Sequence, residues 1–120
     1  HHAGDSRLIK LQIRYPSDNE DSQFGEPVDV RSADVRYYFS EESSGNTCVF
    51  KKTTQDDINI VDGVNGIVEI RWKPEDTEGL GGSQEGDSKE YYHECEFTDS
   101  NGDISTVFTG TVEVIAGLTC

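Results

Sequence analysis

Residues 91–97 read Tyr91-Tyr92-His93-Glu94-Cys95-Glu96-Phe97. Tyr91, His93, Cys95 and Phe97 share one parity, and Tyr92, Glu94 and Glu96 the other. A period of two over this length marks a strand with one face in a core and one in solvent. A helix would scatter the same residues around its axis. The pattern recurs on both sides. Downstream, Asp99-Ser100-Asn101-Gly102 carries turn chemistry, and Thr106, Phe108, Val112 and Val114 then share a parity with Gly110 between them. Upstream, Val68, Ile70 and Trp72 alternate with Glu69 and Arg71. That run is reached from Ile58 and Ile60 through Asp62-Gly63-Val64-Asn65-Gly66, where Asn-Gly favours a hairpin turn with positive φ. Further back, Ala33, Val35, Tyr37 and Phe39 alternate with Asp34, Arg36 and Tyr38. Cys48 to Lys52 is a short strand whose inward parity the sequence leaves open. Val28 and Val30 flank Asp29 in an extended piece. Ile9, Leu11, Ile13 and Tyr15 alternate with Lys10, Gln12 and Arg14.

These runs amount to seven or eight short strands separated by turn signals, and no helical pattern reaches two clean turns. The expectation is an all-β chain folded as an immunoglobulin-like antiparallel β-sandwich. A length of 120 residues suits one domain, expected over residues 7–115 with a short arm at each end, 1–6 and 116–120. Lys73 to Lys89 carries four glycines, several acids and Pro74, and reads as a protruding loop.

The charge is lopsided. There are 24 acidic residues against 10 basic ones, a net charge of −14, and a hydrophobic share of 32%. Composition alone resembles a disordered chain, but the ordered alternation of apolar residues argues against that. The acids are spread along the chain rather than gathered in a tail. An even acidic coat destabilises a compact state by self-repulsion at low ionic strength, and molar salt, with a screening length of about 3 Å, removes that penalty. The composition therefore reads as halophilic. Nucleic acid and anionic membrane are excluded as partners, because phosphate binding needs clustered lysine and arginine. No apolar run approaches the length that spans a bilayer, and no secretory signal is visible.

No residue pattern points to catalysis, a cofactor or a metal. Asp99 to Asp103 resembles the start of a calcium loop but lacks flanking helices and a glutamate at the twelfth position, so a hairpin turn is expected. His93 lacks a nucleophile or carboxylate arranged around it and belongs to the inward parity, as a hydrogen-bonded core histidine. Cys48, Cys95 and Cys120 have no zinc-like or repeated spacing, and Cys95 is expected as a buried free thiol. Trp72 is expected in the core. Tyr38 and Tyr92 have outward parity, which suits a protein contact, a sugar platform or packing across strands.

The order of these motifs resembles a diffuse family of small tailed-phage proteins that includes the immunoglobulin-like N-terminal domain of baseplate upper proteins. Gly4-Asp5-Ser6 precedes the first strand. Gly25-Glu26-Pro27-Val28-Asp29-Val30 is similar to the family's G-x-P-V-D-L, and Ser32-Ala33-Asp34-Val35-Arg36-Tyr37 to its G-A-T-V-R-F. Trp72-Lys73-Pro74-Glu75-Asp76-Thr77 resembles L-T-P-A-D-T. Tyr91 to Asp99, Asn101-Gly102 and Thr106 to Val114 resemble its closing strands and hairpin. The acidic stretch 78–90 departs from the short glycine-tyrosine turn usual there. The resemblance implies a non-enzymatic virion component, a tail or baseplate adaptor, with no catalytic residue to carry over. Its partners would be other virion proteins or further copies of itself, and the acidic composition would suit a virus of halophilic archaea. Capsid decoration and a cell-surface carbohydrate-binding module are the alternative readings. The side chains expected at contacts are Ile9, Leu11 and Ile13 on an edge strand, Leu118 and Cys120 in the C-terminal arm, and Tyr38 and Tyr92. The acidic loop 75–90 is expected to point into solvent.

Overall fold

A computed structural model describes residues 1–15, 25–42, 48–54 and 56–117. The described residues form seven strands and one helical turn: β1 (Arg7–Gln12), β2 (Asp34–Ser40), β3 (Cys48–Thr53), β4 (Ile58–Asp62), β5 (Ile67–Trp72), α1 (Pro74–Thr77), β6 (Ser88–Thr98) and β7 (Ile104–Ile115). They build a β-sandwich of two antiparallel sheets, one ordered β1-β5-β4 and the other β3-β2-β6-β7. Among the described residues, β1 and β4 are therefore the edges of the smaller sheet, and β3 and β7 those of the larger.

The inward parities meet between the sheets. Val35, Tyr37 and Phe39 of β2 face Val68, Ile70 and Trp72 of β5, and all six are fully buried. Trp72 crosses from the small sheet into an aromatic cluster of the large one. Its ring stands edge-on to Phe39 at 5.2 Å and to Phe50 at 5.6 Å, while Phe39 stacks on Phe50 at 4.7 Å. Edge-to-face and offset contacts of this kind add to the gain from burial. The Trp72 indole nitrogen is buried without a hydrogen bond of good geometry, and its electrostatic partner is the Tyr37 hydroxyl.

Two tight connections follow the turn residues. In the β4–β5 hairpin the Asp62 carboxylate accepts hydrogen bonds from the backbone and side-chain amides of Asn65. Gly66, at φ +70°, is buried where its carbonyl accepts from the Ile13 N–H at 2.8 Å. In the β6–β7 hairpin Asp99 Oδ1 accepts from the backbone N–H groups of Asn101 and Asp103, at 2.9 and 3.0 Å. The stretch that resembled a calcium loop is thus a hairpin turn held by its own aspartate.

The strands among the described residues number seven, within the expected seven or eight, and Val28 and Val30 are buried in an extended segment outside them. It contributes one isolated bridge, Arg14 to Pro27, because Ile13 and Tyr15 have left β5 to pair with it. Thr106 does not share the inward parity of Phe108. The β6–β7 register shifts by one residue opposite Cys95 and Glu96, so Thr106 lies opposite Glu96 and is exposed. A bulge of this kind flips every side chain beyond it.

The arms also differ from expectation. His2 bridges Ile115 in parallel, the Ala3 N–H donates to the Ile115 carbonyl at 2.8 Å, and the His1 ring stands edge-on to Trp72 at 4.8 Å. Residues 1–3 thus add to the sandwich instead of hanging from it. At the other end Ala116 is buried, donating to Asp87 and accepting from Gly86, so the sandwich extends past residue 115. Residues 118–120 lie outside the described residues.

Candidate functional site: the open face and edges of the sandwich

Tyr38 and Tyr92 lie on the outer face of the four-stranded sheet. Tyr38 pairs with Glu94 and Ser40 with Tyr92 in the β2–β6 register, which makes the two tyrosines diagonal neighbours. Both are half-buried. The Tyr38 hydroxyl donates to Glu96 Oε1 at 3.2 Å. Partial burial raises the Tyr38 phenol above its ordinary range, with Arg36 opposing and Glu96 reinforcing the shift. Between these strands and β7 lies an open depression of about 660 Å³, walled by Tyr38, Tyr92, Glu94, Glu96, Thr109 and Thr111. It offers two aromatic rings, a row of threonine hydroxyls and two carboxylates. That chemistry suits binding by contact, through stacking, hydrogen bonds and attraction of a cation.

His93 sits on the opposite side of the same strand. Its Nδ1 is 2.8 Å from the Tyr37 hydroxyl, and its ring packs against Phe108 at 5.1 Å and beside Gly110. Burial, and secondarily the charge of Arg7, lower its pKa, so the neutral ring is favoured. Cys95 is fully buried with its thiol pushed up to about 12 by burial, while Cys48 is exposed; both are free.

The edge residues divide differently from their sequence grouping. β1 is an edge strand, but Ile9 and Leu11 point inward and are half-buried against the core, and Ile13 is 1% exposed. The Ile13 side chain is therefore core, and what β1 offers a neighbour is its backbone together with outward Leu8, Lys10 and Gln12. Leu8 is 58% exposed. Leu118 and Cys120, also expected at a contact, lie outside the described residues.

The stretch 75–90 does not stand free along its length. Pro74 begins a helical turn in which Asp76 Oδ2 accepts from the Lys73 N–H at 2.7 Å. Thr77 is fully buried, and its hydroxyl accepts from the Gly4 N–H at 2.9 Å. Leu80 packs on the core. Residues 82–90 are the exposed part. The anchor is a buried cation that the sequence reading missed. Lys52 is 4% exposed, with Nζ 2.8 Å from Asp57 Oδ2 and 2.7 Å from Asp76 Oδ2. Lys73 also reaches Asp57, at 3.2 Å. Burial acts to lower the Lys52 pKa, but the hydrogen bonds to Asp57 and Asp76 outweigh it and the net shift is upward. At Asp57 burial acts to raise the pKa, the bonds from Lys52 and Lys73 outweigh it, and the net shift is downward. The available sequence signal was weak: Lys52 has the parity of Phe50, but lysine at an inward position is rare.

Among the described residues no group of three or more histidines, cysteines or acids could hold a metal ion, and no helix is long and apolar enough to cross a membrane. No protein-family model matches this chain, and no curated protein matches it either.

Proposed function

We propose that this chain is a non-enzymatic structural or adaptor subunit of a tailed virus particle, a tail or baseplate component, built for high salt. The observation that carries the reading is where the residues of the phage-protein resemblance fall. Val28, Val30, Val35, Tyr37, Trp72, Thr77, Tyr91 and Val114 are buried, Pro74 opens the helical turn, and Gly102, at φ +86°, closes a hairpin. The shared motifs are thus the positions that build a rigid sandwich, and the sandwich leaves a sheet face and strand edges open. A rigid body with open edges suits docking between other proteins. Immunogold labelling of purified particles is the direct test. Label at the tail end supports the reading, label spread over the head makes the chain a capsid decoration protein, and absence from particles overturns it.

The depression beside Tyr38 and Tyr92 favours a second reading, a carbohydrate-binding module. Binding of cell-surface glycan lost in Tyr38→Ala and Tyr92→Ala, with no particle association, would establish it instead.

The high-salt part has its own test. Of the described acidic residues, Asp57 and Asp76 close around Lys52, with side chains 15% and 11% exposed; none of the others is buried, so the repulsion among those runs through solvent and is open to screening. The thermal midpoint is expected to rise by about 10 °C from dilute buffer to molar KCl, corresponding to roughly 2 kcal/mol for a domain of this size. A midpoint that stays level or falls removes the halophilic reading.

A further inference from the structure

We propose that the open edge of β7 binds the β1 edge of a second copy of this chain. The proposal builds on the docking role above and names its partner. Among the described residues β7 is the longest strand, with 12 residues, and it is an edge. Edge strands are normally blunted by charge, proline or shortness, since their bare backbone groups recruit other strands. Ile104 to Val112 carries no charged residue and no proline, in a chain of which 28% is charged. Ile104 is 65% exposed, and Val107 and Phe108 are half-buried at the rim of the core. The protective device on this edge is the bulge opposite Cys95 and Glu96. The far end of the edge already accepts a strand, the chain's own residues 1–3 at Ile115. Among the described residues, 104–112 pair only with β6.

The occupant follows from charge. Beside the bare edge, the outer face carries Tyr92, Glu94 and Glu96 on β6 and Glu113 on β7 itself. A strand laid along β7 would therefore be favoured with apolar residues over Val107 and Phe108 and cations beside the acids. Among the described edge strands, β1 and β3 combine apolar residues with cations and carry no acid; in β3 Lys52 is already held by Asp57 and Asp76, which leaves β1 as the better match. Residues 7–14, Arg-Leu-Ile-Lys-Leu-Gln-Ile-Arg, hold three of the 10 basic residues and no acid, and β1 is paired on one side only. Complementary edges on one molecule make self-association the economical contact, and opposite charges fix its register.

Sedimentation equilibrium of the whole chain in dilute buffer and in molar KCl tests the idea without a virus particle, so its failure leaves the virion reading to be judged by immunogold labelling. A mass above the monomer that rises with concentration is expected in at least one of the two buffers. Thr109→Lys on β7 and Lys10→Glu on β1 should each weaken association about tenfold or more, because each sets like charges across the contact. Both sites are exposed, so folding, followed by thermal midpoint, should hold. Combining the two substitutions should restore association. A monomer at every concentration in both buffers overturns the proposal, as does association that neither single substitution weakens or that the combination fails to restore.

Discussion

Replacing Lys52 with alanine is expected to remove about 3–5 kcal/mol of stability, the usual result of stripping one partner from a buried ion pair. The loss arises because Asp57 and Asp76, with side chains only 15% and 11% exposed, would keep their burial and lose their principal cation. Of the two, Lys73 reaches only Asp57, and it does not replace Lys52 in kind, because its side chain is 41% exposed against 5% for Lys52, and screening weakens such a contact. Urea denaturation measures the effect. Introducing Asp57→Asn and Asp76→Asn into the Lys52→Ala variant should recover much of the loss, since the stranded charges are then gone. The pH dependence has a definite sign. Asp57 has a lowered pKa in the fold, so its contribution is present above the ordinary aspartate range and is lost as pH falls through its folded value. The gap between the parent and Lys52→Ala should therefore narrow in acid. A Lys52→Ala variant within about 1 kcal/mol of the parent at neutral pH, the range of surface pairs, would mean that the cluster is no anchor.

Gly66→Ala is expected to cost about 3 kcal/mol, the upper end for a residue forced into a sparsely allowed backbone region. Two effects combine. The backbone at Gly66 has φ +70°, and a Cβ there would lie 2.6 Å from the carbonyl oxygens of both Ile13 and Val28. The Ile13 oxygen cannot yield easily, because it accepts from the Val28 N–H and the Ile13 N–H is bound to Gly66 itself. Gly102→Ala separates the terms. Gly102 has φ +86° with nothing within 4 Å of the added carbon, so it should lose only about 1 kcal/mol, the left-handed backbone cost by itself. Equal losses at the two sites would show that the junction of Ile13, Val28 and Gly66 is not tightly closed.

The sandwich was legible because its signal is local. Alternation in 67–72 and 91–97 names the inward face directly, and Asn65-Gly66 and Asn101-Gly102 name their turns. What local patterning could not carry was the long-range chemistry. The parity of Lys52 stayed open because nothing near it in sequence announces that Asp76 closes over it from α1. Thr106 was misplaced because a bulge moves parity without changing composition. Residues 1–3 looked like an arm because their partner, Ile115, stands at the opposite end of the chain. The outward tyrosines were visible by parity, but their depression needs β2, β6 and β7 side by side. The bareness of the β7 edge was in the sequence all along, and only the strand order makes it an edge.

That strand order also governs how the chain can reach its fold. The hairpins β2–β3, β4–β5 and β6–β7 join neighbours in sequence and can close early. β1 cannot. Its partner is β5, with Arg7 opposite Trp72 and Gln12 opposite Ile67, so β1 waits for all of residues 13–66 to follow it before it can pair. β2 waits almost as long for β6, with Ser40 opposite Tyr92 and Asp34 opposite Thr98. Domains dominated by such distant pairings fold in milliseconds to seconds rather than microseconds. During that interval the apolar residues of β1 are unpaired, and its two cations, Arg7 and Lys10, repel their like on neighbouring nascent chains and so oppose premature association.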